Sequence, residues 1–290
     1  HPGPGGEPRV SKRTRNVLGQ IAFGILVVVI LIYLLFPFYW ALVSALKTQR
    51  ELIQTPATLW PTNPTLQNFR AVLGSATFLR ALGNSTLVSL AVTLLSLVVG
   101  SFAGYALGKM RFRGKTPSLY VILAMTMFPQ IAVLAGLYAV IRIIGMPAIP
   151  SMILSYMLFT LPFTVWVLTS FFRGLPSSLL QAAQVDGATM MQSFLYVLLP
   201  LTAPALVTTG LLAFIQAWNE YLFALTFTII DETSRTVPVA IALFTGEIAR
   251  QEPFGEIMAA AVIVTIPLVI LVLIFQNRIV DGLTAGSVKG

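Results

Sequence analysis

Few side chains in this sequence have the types and spacing that catalysis requires. Among its 290 residues there is no cysteine, and the one histidine is His1. A cysteine nucleophile, an iron–sulfur cluster and a disulfide are thereby excluded. A serine–histidine pair or a histidine-ligated metal would need a histidine within a packed segment. We therefore expect neither catalysis nor a cofactor or metal on this chain.

One short segment, Gly114-Lys115-Thr116, resembles the end of a phosphate-binding loop. That motif requires a glycine five positions earlier, where this chain has Lys109, and a strand before the loop. Gly108 is one position too early, and apolar runs flank the segment on both sides. We interpret it as a basic loop, so any ATP hydrolysis must take place on another chain.

The Trp218-Asn219-Glu220 segment is the second candidate, because it lies inside a long apolar run. A charge in the middle of a membrane span costs roughly 2.5–3.5 kcal/mol, so Glu220 should face protein or water. The amide and carboxylate could bind sugar hydroxyls while the indole packs on the apolar face of a sugar ring. Alternatively, Glu220 joins neighbouring helices and only stabilises the bundle.

The loop at residues 174–201 is the third candidate. Pro176 and the serines after it are typical of a helix start, and Asp186-Gly187 predicts the turn that ends the helix. Leu179–Val185 should form a short helix with an apolar, small-residue face, and a second helix should run from about Thr189 to Pro200. Because that face has no core of its own nearby, we expect a groove on a partner protein to bind it.

The elements that position these residues are membrane spans. Hydrophobic residues make up 57% of the chain, charged residues 10%, and the mean hydropathy is +0.87. Apolar runs long enough to cross a bilayer predict an all-α, polytopic membrane protein with six transmembrane helices. The predicted spans are Val17–Ser44, Ala81–Gly108, Pro117–Ile141, Ser151–Phe172, Thr202–Ile230 and Glu256–Phe275.

The second span carries Gly100, Gly104 and Gly108 at four-residue intervals. Such a row of glycines permits a second helix to approach closely. We interpret it as packing within the bundle.

Basic residues predict the orientation of the spans. Eleven of the 18 lysines and arginines fall on the face that carries both termini, and seven fall on the other. By the positive-inside rule both termini are cytoplasmic. The net charge of +8 lies in short clusters beside apolar runs, so we expect a lipid bilayer and no nucleic acid as partner. The predicted organisation is a disordered cytoplasmic N-terminus (1–16), a permease domain (17–280) and a cytoplasmic tail (281–290).

The loop resembles the EAA motif of permeases in binding-protein-dependent ABC importers. That pattern is Glu-Ala-Ala, three residues, Gly, nine residues, Ile, one residue and Leu-Pro. The matching residues here are Gln181-Ala182-Ala183, Gly187, Val197 and Leu199-Pro200. Gln181 takes the place of the acidic residue of the pattern, so this position keeps a polar side chain but has no charge for a salt bridge.

Further segments look like the second permease of maltose-type carbohydrate importers. They are Pro37-Phe38-Tyr39-Trp40, Asn84-Ser85, Arg111-Phe112-Arg113-Gly114, Met127-Phe128-Pro129, Trp218-Asn219-Glu220 and the ending Gly282–Gly290. The resemblance implies the type I ABC importer permease fold and a bacterial plasma-membrane location. It also implies a second permease, two ATP-binding cassette subunits that hold ATP and Mg, and an extracytoplasmic sugar-binding protein.

The resemblance assigns roles to individual residues. The ATPase-coupling residues would be Leu179, Gln181, Ala182, Ala183, Asp186, Gly187 and Pro200, and the substrate pathway would include Trp218, Asn219 and Glu220. Asp186 would cap the following helix, and the tail after Asp281 would lie at the ATPase interface. The expected substrate is a disaccharide such as maltose or trehalose.

An ion-coupled secondary transporter is the main alternative, and a membrane scaffold is a third. The secondary transporter would work alone and would usually carry acidic or histidine residues in several spans. Only Glu220 lies deep in a predicted span. A scaffold would leave the cytoplasmic docking helix without a purpose.

Overall fold

Long apolar helices dominate the computed structural model, which describes residues 12–229, 231–244 and 253–285. The helices in the first half of the chain are α1 (Lys12–Ala45), α2 (Gln49–Leu52), α3 (Gln67–Gly74), α4 (Ala76–Lys109), α5 (Lys115–Thr126), α6 (Gln130–Ile144) and α7 (Ala148–Gly174). Those in the second half are α8 (Ser177–Val185), α9 (Met190–Gln192), a π-helical turn (Ser193–Leu198), α10 (Leu199–Leu201), α11 (Ala203–Trp218), α12 (Leu222–Phe227), a 3₁₀ turn (Glu232–Ser234), α13 (Val237–Ala242) and α14 (Phe254–Ala285).

The predicted all-α membrane fold is confirmed. Within the described residues, four helices are long and apolar enough to cross a membrane by themselves: Gly19–Ala45, Ala76–Lys109, Ala148–Gly174 and Phe254–Gln276. Two bent helix pairs raise the number of spans to as many as six.

Breaks between helices correct two of the predicted spans. The third prediction, Pro117–Ile141, is two helices that meet at 96° after Thr126, because Pro129 has no backbone N–H to continue α5. The fifth, Thr202–Ile230, stops being helical at Trp218 and resumes at Leu222. At its other end, α11 meets the helical run Met190–Leu201 at 75°.

The chain forms two compact units. One contains the described residues up to Phe69 together with Phe254–Val262. Its longest helix, α1, is apolar around its whole circumference and exposed along residues 19–39, and only its last turn is buried. Exposure on all sides is the pattern of a helix that packs in lipid or against other membrane helices. The sequence predicts disorder through residue 16, whereas the helix already begins at Lys12; the rest of that terminus, 1–11, lies outside the described residues.

The second unit contains Arg70–Pro253 and the part of α14 that begins at Ile263. Its centre is the contact between α4 and α7. A Cβ added at Gly100 would lie 2.6 Å from Cγ2 of Thr164, and one at Gly104 would lie 3.0 Å from Cβ of Leu168. These glycines therefore let the two helices touch, which confirms the packing interpretation. The tail after Asp281 continues α14 to Ala285, and residues 286–290 lie outside the described part.

Candidate functional sites: the loop helix and the break after Trp218

The loop at residues 174–201 contains the helix that the sequence predicts. Helix α8 runs from Ser177 to Val185, two residues longer at its start than predicted, and Pro176 precedes it. Gly187 has a φ of +84°, a left-handed conformation in which glycine carries no Cβ penalty, so the chain turns sharply there. Helix α8 therefore ends just before a sharp turn, and its last residue, Val185, is exposed.

The start of α8 is fixed to the membrane helices. Lys109 is the last residue of α4, and its side-chain ammonium donates a hydrogen bond to the carbonyl of Leu175, which lies between α7 and α8. Leu175 and Leu180 pack against a buried cluster that contains Phe172, Phe194 and Leu198. The position of α8 is therefore coupled to the C-terminal ends of α4 and α7.

The two faces of α8 have different environments. Leu179, Leu180 and Ala183 are half-buried against the chain itself. This corrects the expectation that the whole apolar face needs a partner, because the cluster around Phe194 supplies a core. The opposite face carries Ser178, Gln181, Ala182 and Val185, all exposed, and Val185 is 87% exposed. These four residues, which we call the outward stripe, have no apolar cover within the described residues.

The segment after α8 contains a second correction. The resemblance assigns the cap of the next helix to Asp186, but Thr189 is the cap. The Thr189 hydroxyl accepts a hydrogen bond from the backbone N–H of Gln192 at 3.2 Å, and the Gln192 side chain accepts one from the N–H of Thr189 at 2.8 Å. This capping box satisfies two N–H groups that the first turn leaves free, so Asp186 remains exposed at the turn.

Two exposed methionines after the turn at Gly187 were not predicted from the sequence. Met190 and Met191 form the first turn after the capping threonine, and each exposes about half of its side chain. Methionine side chains adapt to irregular partner surfaces. The sequence Thr189-Met190-Met191-Gln192 could have indicated this, because threonine followed three residues later by glutamine is typical of a capping box. Pro200 lies in α10, just before the 75° bend into α11.

The Trp218-Asn219-Glu220 segment lies at a break between helices, not within one. Trp218 ends α11, is 3% exposed and stacks on Phe214 with 5.5 Å between ring centroids. The Asn219 side-chain amide donates to the carbonyl of Ile215 at 2.8 Å, within α11. The indole is therefore occupied by the protein core, whereas Asn219 is exposed.

Glu220 lies two residues before the next helix, α12, and binds its first turn. Its two carboxylate oxygens accept hydrogen bonds from the backbone N–H groups of Phe223 at 2.9 Å and Ala224 at 3.0 Å. These are N–H groups that the first turn of α12 cannot satisfy by itself, and the negative charge also favours the positive end of the helix dipole. In the structure Glu220 therefore stabilises the first turn of α12, and its negative charge favours this role.

Comparison with known proteins places the chain in a family. Residues 96–284 match the family described as binding-protein-dependent transport system inner membrane component. The trehalose transport system permease protein SugB of Mycobacterium tuberculosis is 42% identical over 259 residues, which cover 89% of this chain and 93% of that protein. This chain therefore belongs to the family of binding-protein-dependent transport system inner membrane components. The trehalose/maltose transport system permease protein MalG of Thermococcus litoralis is 40% identical over 284 residues, covering 97% of this chain and 98% of that one.

A solved structure supports the fold independently. A subunit of a bacterial ABC transporter that imports the acidic polysaccharide alginate superposes with a TM-score of 0.80 at 21% identity, covering 93% of this chain and 99% of that chain. At that identity the likeness concerns the fold alone.

Family membership makes this permease a non-catalytic, multi-pass inner-membrane subunit of an ABC importer that works with a binding protein and ATPase components. The ion-coupled secondary transporter is not supported.

Proposed function

We propose that this permease carries a sugar across the membrane together with a second permease subunit, each forming half of the translocation pathway. The two relatives above, at 42% and 40% identity, are named for trehalose and for trehalose/maltose transport. Their names support a disaccharide of that class as the substrate. The excess of basic residues on the face that bears the termini supports a cytoplasmic location for both ends.

The coupling to ATP hydrolysis is assigned to α8. The observation that carries this assignment is the outward stripe, with Val185 87% exposed at a corner where Gly187 turns the chain. Ala182 is a small residue of the stripe, and Met190 and Met191 are exposed apolar side chains in the first turn of the next helix. A helix of this shape fits a groove on an ATP-binding cassette subunit, of which the importer would hold two, with ATP and Mg bound there.

Movement of α8 would reach the membrane through its inner face. Leu180 packs on the cluster of Phe172 and Phe194, and Lys109 binds the linker before α8. Both connections lead to α4 and α7, which are in close contact along the glycine row. A displacement of α8 by closing ATPase subunits would therefore be transmitted to the pair of helices at the centre of the unit.

The substrate pathway is assigned to the break at residues 219–221. Irregular backbone at membrane depth is tolerated where it is buried in protein or lines a water-filled cavity. Asn219 is the exposed member of the segment, while Trp218 is buried and Glu220 caps α12. We assign the sugar contact to Asn219. Trp218 packs in the core at the end of α11, and Glu220 binds the first turn of α12, so these two residues fix the two sides of the break.

Reconstitution tests this function. This permease, the second permease, the ATPase and the binding protein from the same genome would be purified together and placed in liposomes. The native mass should correspond to one copy of each permease and two of the ATPase, and binding protein loaded with trehalose or maltose should stimulate ATP hydrolysis. Uptake by this chain alone, driven by a proton or sodium gradient, would refute the proposal.

A further inference from the structure

The segment after α1 forms a closed loop with a polar interior. The backbone N–H of Thr65 donates to the carbonyl of Leu46 at 2.8 Å, which joins the two ends of residues 46–65. We call this segment the return loop. Lys47, 2% exposed, donates to the carbonyl of Thr58, and Glu51 accepts from the backbone N–H of Thr62 at 2.6 Å. Two buried charges therefore hold the second half of the loop against its first half.

The return loop folds back along α1 instead of extending away from it. The hydroxyl of Tyr39 donates a hydrogen bond to the carbonyl of Leu59 at 2.6 Å. The ammonium of Lys47 lies 4.8 Å from the centroid of the Trp40 ring. Tyr39 is six residues before the end of α1, which is about 9 Å along the helix axis. Leu59 is therefore held at the side of the last turns of a membrane span.

The tip of the return loop carries apolar side chains that contact little of the chain. Leu59 and Trp60 are each 67% exposed. Residues near Tyr39 on α1 are also exposed and apolar, among them Phe36 and Phe38. The loop tip thus adds apolar surface at the end of the span, while two of the three charged side chains of the loop, Lys47 and Glu51, are buried and Arg50 is exposed.

We propose that Leu59 and Trp60 insert into the membrane–water interface and fix the depth of α1 in the bilayer. The ligand is the boundary layer of the lipid, where acyl chains meet the glycerol and phosphate groups. Tryptophan is enriched at that level because its ring is apolar and its indole N–H can donate to a polar group. The buried Lys47 and Glu51 give the loop the rigidity to present these two side chains, and Tyr39 sets their distance from the end of the span.

Fluorescence quenching tests this proposal. The assembled importer is placed in bilayers whose lipids carry bromine near the headgroup end or near the methyl end of the acyl chains. The signal of Trp60 is obtained as the difference between the unmodified complex and the Trp60→Phe complex. We expect strong quenching by bromine near the headgroup end, weaker quenching by bromine near the methyl end, and little quenching by aqueous iodide.

Other occupants of the loop tip would give different results, and each would overturn the proposal. Quenching by iodide that disappears only when the binding protein is added would show a docking site for that protein. Protection from both iodide and brominated lipid would show that the second permease covers Trp60. Because these outcomes do not depend on transport activity, they test the position of Trp60 independently of the proposed function.

A pair of tyrosine variants tests the geometry. Tyr39→Phe removes the hydroxyl that binds the carbonyl of Leu59, and it should lower lipid quenching of Trp60 and raise iodide quenching at least twofold. Tyr33→Phe is the control, since Tyr33 is a 78% exposed tyrosine on the same helix. It should leave both signals unchanged. Equal behaviour of the two variants would show that Tyr39 does not place the loop tip.

Discussion

The hydroxyl groups of Ser96 and Thr160 share a hydrogen bond of 2.9 Å across the contact between α4 and α7. Both residues are fully buried. Side chains this short can meet across two helices only where the backbones approach closely, and the glycine row four residues further along α4 permits that approach. Helices α4 and α7, to which α8 is linked, are therefore joined both by close packing and by a hydrogen bond.

Replacing Gly104 with alanine should destabilise the permease. The new Cβ would lie 3.0 Å from Cβ of Leu168 and 3.1 Å from the backbone nitrogen of Thr169, and backbone cannot move aside cheaply. Overpacking of this kind costs about 1–3 kcal/mol, so the melting temperature of the purified complex should fall. Gly83→Ala is the control in the same helix, where nothing lies within 4 Å. An equal fall in both variants would contradict the packing role.

Replacing Glu220 with alanine should weaken α12. The loss of a side-chain cap costs about 0.5–2 kcal/mol, and two backbone N–H groups lose their acceptors here. Glu220→Gln should cost less, because the amide keeps one acceptor oxygen but lacks the charge that favours a helix N-terminus. Melting temperature and sugar uptake would be measured together. An unchanged melting temperature with a raised KM would instead assign Glu220 to the substrate.

Replacing Asn219 with alanine should raise the KM for sugar uptake at least severalfold and leave the complex assembled. The side chain is exposed at the break and is bonded only within its own helix among the contacts that the structure describes. Loss of a polar group that binds a sugar hydroxyl weakens binding by about the energy of one hydrogen bond. Thr86→Ala is the control, since Thr86 is likewise exposed and bonded within its own helix. Equal KM values in the two variants would exclude Asn219 from the pathway.

The sequence predicted the elements better than their environments. Apolar runs and the proline before Ser177 located the spans and α8, because length and helix-start residues are local properties. The break after Trp218 was missed, since no proline or glycine marks it. Helix α11 ends because of tertiary contacts. The indole of Trp218 is buried, and Glu220 accepts a hydrogen bond from the next helix.

Two other features depended on contacts between distant residues. Asp186 and Thr189 are both good capping residues, and only the backbone path after Gly187 decides that Thr189 begins the helix. Lys47 and Glu51 read as ordinary charges of a surface loop. They are buried because the loop closes over them, which involves residues up to Thr65.

Acid should release the return loop. The backbone N–H of Thr62 and hydroxyls of Thr62 and Thr58 hold the pKa of Glu51 below its ordinary value of 4.5. A carboxylate with a lowered pKa stabilises the fold fully above the ordinary value, and this contribution is lost as the pH falls through the lowered one. Iodide quenching of Trp60 should therefore be constant from neutral pH down to the ordinary value and rise below it.

The matched variants for this pH profile are Glu51→Gln and Glu232→Gln. The first should show raised iodide quenching at neutral pH and no acid transition, because its side chain does not titrate. The second removes an exposed carboxylate that pairs with Arg235, and it should keep the profile of the unmodified protein. An acid transition that persists in Glu51→Gln would assign the titration to another group.

Coupling is tested by placing tryptophan on either face of α8. Ala182 lies in the outward stripe, so Ala182→Trp should leave the melting temperature of the permease pair unchanged but abolish ATPase binding or the stimulation of hydrolysis by loaded binding protein. Ala183 is half-buried, so Ala183→Trp should also destabilise the permease itself, by about 1–3 kcal/mol. Gln181→Glu restores the residue usual in the EAA motif and should be tolerated. Normal stimulation in Ala182→Trp would show that the outward stripe does not dock, and the coupling assignment of α8 would then be wrong.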